Sequence, residues 1–347
     1  MTTAVADVTF DQHSAYKDAE TGSDRRANPY TGDDVRQLWR YMSSQGTRES
    51  LQELHTRSSW RGICALMSDW AVVCMSVAAV VKFGFLLAPL AIVLIGSRQR
   101  ALVVLAHEGA HGALHPRRAI NDILARYCAC LPMFLDYSVF CKSHAEHHRY
   151  LGDPEKDTDF LHSEEDIAKG WWFVYSKQFF SLDNWLAGGP LGGLRSADWY
   201  QRLLVALYWS TLMALIAVSC STTAALTFAA LWIVSRALVH HAIISFVIIS
   251  DHVGLRPGAS ILNFARNHSR TSPLRWLIHP HCNGLHLTHH LLPGLPFHSL
   301  AAADKLLMTW PKYREASHCS SYFFGRNSAI RSWCGESTVT ATSGDER

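Results

Sequence analysis

The stretch Phe83-Gly-Phe-Leu-Leu-Ala-Pro89-Leu-Ala-Ile-Val-Leu-Ile-Gly96-Ser-Arg98-Gln-Arg100-Ala-Leu-Val-Val-Leu-Ala-His107-Glu108-Gly-Ala-His111 decides the fold. Its apolar run is broken at Arg98 and Arg100, resumes to Ala106, and ends in two histidines four residues apart. Read as one helix through His115, it is about 50 Å long at a rise of ~1.5 Å per residue. The hydrocarbon core of a bilayer is only ~30 Å thick. The excess carries His107 and His111 out of the membrane on one side. Pro89 is expected to kink this helix.

Three further apolar segments have membrane length. The candidate spans are about 62–81, interrupted only by Asp69, then 83–106, 203–220 and 223–250. The last outruns the bilayer as the second does, with Arg236, His240 and His241 in its later half. Four spans put both termini on one side. Arg57, Arg61, Arg98, Arg100, Arg117, Arg118, Lys142, Arg149 and Lys156 fall on that side, against Lys82 alone in the outer turns. This is the positive-inside pattern, and it assigns the histidine side and both termini to the cytosol. Charged residues are 18% of the chain, below the ~25% of a soluble domain. The net charge of +3 is too small to argue for nucleic acid. Nine cysteines, an odd count without a CxxC pair, read as reduced thiols.

The chain divides into a cytosolic N-terminal segment 1–56, a membrane domain 57–315 and a tail 316–347. Residues 1–30, and the chain from 331 onward, read as disordered. Residues 31–56 read as one or two amphipathic helices. Residues 120–142 and the aromatic-rich 171–188 read as interfacial segments, the latter at headgroup level. The N-terminal 61 residues lack the apolar core of a signal peptide.

Three histidine clusters supply the chemistry: His107-Glu-Gly-Ala-His111, His144-Ala-Glu-His147-His148 and His286-Leu-Thr-His289-His290. On a helix, i, i+3 and i, i+4 spacing sets each cluster on one face. Eight imidazoles exceed the four ligands of one tetrahedral zinc, and they suit two iron-class ions. The fold class is therefore all-α integral membrane, four transmembrane helices with a cytosolic, histidine-rich diiron cap. HEGAH also matches the HExxH zinc-protease motif, with Glu108 as base. That reading leaves most of the histidines unexplained. A non-catalytic metal carrier has no need of such ordered repeats. Isolated histidines (His13, His55, His162, His279, His281, His318) read as core or surface residues.

HEGAH, HAEHH and HLTHH, in this order and spacing, resemble the three histidine boxes of the integral-membrane fatty acid desaturase and hydroxylase superfamily. The resemblance continues in His147-His-Arg-Tyr-Leu-Gly-Asp153-Pro-Glu-Lys-Asp157-Thr-Asp159 and in His289-His-Leu-Leu-Pro-Gly-Leu-Pro-Phe-His298. It implies a non-haem diiron centre, O₂ as co-substrate, and oxidation of an unactivated C–H bond. Desaturation of a fatty acyl lipid or thioester is the leading expectation, with hydroxylation of a lipid or small metabolite as the alternative. Electrons are expected from a separate ferredoxin, rubredoxin or cytochrome with its reductase. The resemblance also implies a ninth ligand at the end of the fourth span, which His252 matches; His115, His240 and His241 are weaker candidates. His268 and His298 are expected to be structural or to support ligands. Ligating histidines pass their outer N–H to a carboxylate or carbonyl, and Glu108, Glu146, Asp153, Asp157, Asp159 and Asp251 are the candidates.

Overall fold

The structure, a computed structural model, describes residues 29–188, 192–195, 197–258 and 260–334. The stretches 1–28 and 335–347, which hold most of the expected disorder, lie outside the described residues. The helices that build the frame are α1 (Pro29–Ser44), α2 (Arg61–Phe83), α3 (Ala88–Ala110), α4 (Tyr137–Tyr150), α5 (Trp171–Phe180), α6 (Trp199–Ser219), α7 (Thr222–Ser235), α8 (His241–His252), α9 (His286–Leu291) and α10 (Leu300–Leu307). Two short strands, β1 (Arg266–Asn267) and β2 (Ser317–His318), pair in parallel.

Among the described residues, four helices are long and apolar enough to cross a membrane: Arg61–Phe83, Phe85–Ala110, Trp199–Ser219 and the continuous Thr222–His252. Only 6% of the apolar window of α6 is buried, so its side chains face lipid rather than a protein core. Pro89 does not kink α3. The chain turns at Gly84, where φ is +93°, and Pro89 sits in the first helical turn, where its missing N–H costs nothing.

The fourth span is not a uniform helix. Residues Arg236–His240 form a π-helical turn between α7 and α8. Gly96 of α3 faces it so closely that an added Cβ would lie 2.5 Å from Val239 Cβ. Periodicity gives no sign of such a bulge, which adds a residue to one turn without changing composition.

The charges that interrupt the spans are paired with one another. Asp69 of α2 accepts from Arg98 Nη1 of α3 at 2.8 Å, and its other oxygen lies 2.8 Å from His281 Nε2. Arg98 also stacks on Trp276, 3.9 Å from the ring centroid. One buried ion pair thus joins two spans to the segment that leads into the third box. Arg100 is likewise buried and donates to Asn283. Arg98 and Arg100 are therefore internal structural charges. The inner-side bias rests on the remaining cations.

A cap of short helices closes the histidine end. Its core joins Leu38, Trp39 and Met42 of α1 with Leu287 and Leu291 of α9, Leu307 of α10, and Tyr313. Asp34 pins α1 by accepting the Ile261 N–H at 2.7 Å. The helix Arg118–Met133 meets α4 at a bend of 97°. On α5, Val174 packs against α8 while Trp172 and Phe180 are exposed, as an interfacial helix requires. Residues of the C-terminal segment also belong to the cap, where Tyr322, Ala329 and Trp333 are buried against Phe246 and Val247.

Candidate metal centre

Four helix ends converge under the cap. The C-terminal turn of α3 delivers His107 and His111, α4 delivers His144, His147 and His148, α9 delivers His286, His289 and His290, and the last residue of α8 is His252. They resolve into two groups. His107, His111, His144, His148 and His289 form one; His147, His252, His286 and His290 form the other. Within each group the donor nitrogens lie within 4.8 Å of one another. His148 and His290 stack at 4.4 Å between ring centroids, so the groups adjoin.

The separations are those of a shared cation. The Nε2 atoms of His111 and His144 are 2.7 Å apart, and those of His289 and His148 are 3.0 Å apart. In the second group His290 Nε2 is 3.3 Å from His147 Nε2 and 2.9 Å from His286 Nε2, which is 2.9 Å from His252 Nε2. A neutral imidazole nitrogen carries one proton or one lone pair. In the second group the Nδ1–H of His147 is held by Asp157 and that of His252 by the Phe264 carbonyl, so no assignment of single protons gives all three Nε2 contacts a donor and an acceptor, whereas a central cation satisfies all four nitrogens. Burial and the charge of neighbouring imidazoles push His144, His148, His286, His289 and His290 well below the usual histidine range. The neutral form is the one that ligates a metal. The donor set fits two metal ions, five imidazoles at one position and four at the other.

Two of the outer nitrogens, those of His147 and His252, are held as ligands' are. His147 Nδ1 donates to Asp157 at 2.7 Å. Burial lowers His147, but the Asp157 hydrogen bond and the charges of Asp159 and Asp157 outweigh burial and leave it raised. Asp157 is fixed in turn by the N–H groups of Gly152 and Asp159. His252 Nδ1 lies 2.6 Å from the Phe264 carbonyl. Asp251 stands 3.7 Å from His286 Nδ1. Glu108 lies 3.7 Å from His107 Nδ1 and accepts the Phe297 N–H at 2.7 Å, which clamps the loop after box three.

Other expected site residues lie elsewhere. Glu146 is half-buried on α4 and joins neither group. Asp153 caps the turn that follows α4, accepting from Glu155 and Lys156. Asp159 reaches the site only through its N–H on Asp157 and its charge. His115 accepts the Arg117 N–H in a local turn. His241 bonds the Phe179 carbonyl, and His298 meets Arg61. His268 contacts Asp251 at 3.1 Å.

Sequence reasoning missed the buttresses. Asn121 and Tyr137 both donate to the Gly109 carbonyl at 2.8 Å, fixing the turn between His107 and His111. Behind α9, Thr288 lies 2.6 Å from the Tyr313 hydroxyl, which donates to Asp304, and Asn267 Nδ2 lies within 3.1 Å of an oxygen of each of the three. These contacts join residues far apart in the chain, and no spacing rule marks them.

Comparison with known proteins places this geometry. The model of the fatty acid desaturase family matches residues 83–321. The chain is 27% identical over 304 residues to a dihydrorhizobitoxine desaturase of Bradyrhizobium elkanii, covering 80% of this chain and 84% of that protein. A zeaxanthin 4-ketolase of Chlamydomonas reinhardtii is 33% identical over 103 residues, 26% of this chain and 23% of its own. A beta-carotene ketolase of Haematococcus lacustris is 32% identical over 82 residues, 23% and 25% of the two chains.

Proposed function

The chain belongs to the fatty acid desaturase family, and from this premise we propose that it desaturates a substrate with a long apolar part, a fatty acyl lipid or thioester, at a diiron site on the cytosolic face of a membrane. It is an oxidoreductase of C–H bonds on an integral-membrane scaffold. The observation that carries the diiron reading is the convergence of nine buried or half-buried imidazoles on two adjoining points. A zinc protease needs Glu108 free beside two histidines and one distant ligand. Glu108 is instead buried and bonded to Phe297, and its two histidines sit in a group of five.

Iron bound there would supply oxygen activation. The chemical balance is R–CH₂–CH₂–R′ plus O₂, two electrons and two protons giving R–CH=CH–R′ and two waters. A separate one-electron carrier with its reductase would supply the electrons. The chain's own part is geometric. His107, His111, His144, His148 and His289 would hold one iron, and His147, His252, His286 and His290 the other. Asp157 and the Phe264 carbonyl orient imidazoles of the second set. The cap core of α1, α9 and α10 shields the centre from bulk water, and the exposed apolar flanks of the spans present it to lipid.

A second reading keeps the scaffold and changes the substrate. It is favoured by the match to the dihydrorhizobitoxine desaturase, which spans 84% of that protein; the substrate would then be a metabolite of that kind. Mass spectrometry of lipids and small metabolites from cells with and without the active protein, under ¹⁸O₂, tests both. Loss of two hydrogens without label supports desaturation. A gained ¹⁸O in place of it refutes desaturation in favour of hydroxylation or ketone formation.

A further inference from the structure

A third group of donors lies outside the two histidine groups: Asp251, His268 and His279, with ligand atoms within 4.8 Å of one another. They come from three segments. Asp251 is in the last turn of α8, His268 follows β1, and His279 ends the short helix Arg275–Ile278. His268 Nε2 is 3.1 Å and His279 Nε2 3.9 Å from the same oxygen, Asp251 Oδ1. The two rings stack at 4.5 Å and 15°, presenting their Nε2 edges together. Their side chains are 0% and 1% exposed.

A hydrogen-bond network accounts for only half of this. His268 donates to Asp251. His279 Nδ1 meets the Tyr322 hydroxyl at 3.0 Å, but its Nε2 is buried without a hydrogen-bond partner while aimed at the carboxylate. A buried nitrogen left so pays its desolvation without recovering a hydrogen bond. A cation between the two Nε2 atoms and Asp251 Oδ1 removes that cost. The far side of the His279 ring is already supported by the Tyr322 hydroxyl, and His268 Nδ1 is a second buried nitrogen without a hydrogen-bond partner. Two buried guanidinium groups nearby leave the carboxylate available. Arg266 donates to Ser332 and to the Val253 carbonyl, and Arg100 donates to Asn283.

We propose that Asp251, His268 and His279 hold a structural divalent ion, zinc by its donors, as a third metal site. Two imidazoles and one carboxylate form a zinc donor set, with water able to complete the tetrahedron. The all-imidazole groups differ from it in both number and charge. The ion would fasten α8, β1 and the Arg275–Ile278 helix to one another, and through Tyr322 it would hold the C-terminal segment to the cap. Asp251 Oδ2 stands 3.7 Å from His286 Nδ1, so the same ion would fix the carboxylate that faces one imidazole of the four-histidine group. The proposal does not depend on which metal those groups hold.

The test is metal analysis and zinc-edge X-ray absorption on the full-length protein, purified from cells supplied with both iron and zinc. The expected result is about one zinc per chain in addition to iron, in a sulfur-free shell at ~2.0–2.1 Å. His279→Gln and His268→Gln should each lose most of the zinc and keep the iron, while His290→Ala should lose iron and keep the zinc. Should the glutamine variants fail to fold, Tyr322→Phe replaces them: its zinc should yield to a chelator at roughly tenfold lower chelator concentration. Absence of zinc from the wild-type protein overturns the proposal. So does zinc that survives His279→Gln but disappears in His290→Ala, or a Tyr322→Phe protein that holds zinc as tightly as wild type.

Discussion

Replacing Asp157 with Asn should loosen the second metal position more than any other change that leaves all nine imidazoles in place. Asp157 accepts three hydrogen bonds: from His147 Nδ1 at 2.7 Å, from Gly152 at 2.9 Å and from Asp159 at 3.0 Å. The side chain is 1% exposed, so water cannot substitute. An amide oxygen can retain the bond to His147, but as a neutral one, a loss of about 1–1.5 kcal/mol. The NH₂ group then faces a backbone donor, and that lost bond adds about 1 kcal/mol. Together these come to about 2–2.5 kcal/mol, or roughly 30–60-fold in metal affinity, within the range typical of residues that orient ligands. Iron retention against a graded chelator measures it. The pH dependence adds a sign. His147 is raised, so in the metal-free protein the stability it contributes is present below the usual histidine range and lost as pH rises through its folded value. Asp157 is lowered because its pairing with His147 outweighs burial, so its contribution is lost only in acid. Iron takes neutral His147, so affinity should climb with pH until that proton is gone. In Asp157→Asn the climb should shift to lower pH. Wild-type iron retention with an unchanged pH profile would refute the claim that Asp157 sets His147.

Glu108→Gln should retain a measurable fraction of oxidised product, because the amide oxygen can still accept from Phe297; complete loss with iron intact would give Glu108 a direct chemical role. Asp69→Asn leaves Arg98 buried without its ion partner and should cost about 3–5 kcal/mol, read as a fall in the unfolding temperature in detergent. Gly96→Leu drives a side chain into Val239 and should prevent the second and fourth spans from packing, seen as loss of monodisperse protein on size exclusion. His241→Ala should keep the wild-type iron content, since His241 bonds only the Phe179 carbonyl; iron loss there would place a ligand inside the fourth span.

Features written into local pattern were legible in the sequence. Long apolar helices, the histidine spacing and the aromatic character of α5 all follow from composition and periodicity over one turn or one span. His252 enters as a candidate only through the box resemblance, and the structure sets its Nε2 2.9 Å from that of His286. Features that depend on distant partners were not legible. Arg98 and Arg100 look like charges of the inner surface, yet each finds its partner across the bundle in Asp69 or Asn283. The π-turn at Arg236–His240 arises where α3 presses its Gly96 against the fourth span. Of the six acidic candidates, only Asp157 has a hydrogen bond to a box histidine. Asp153 instead caps the turn that follows α4. Residues 317–333, assigned to the tail by the domain division, reach the cap through Tyr322 and Trp333, two aromatic side chains whose burial depends on a surface formed by the rest of the chain.

The central claim is that nine imidazoles hold two irons at two separate positions. Anomalous diffraction at the iron absorption edge, from crystals of protein purified with its metal, tests it most directly. Two iron peaks are predicted, one among His107, His111, His144, His148 and His289, the other among His147, His252, His286 and His290. A single peak, or zinc in place of iron within these two groups, would contradict it.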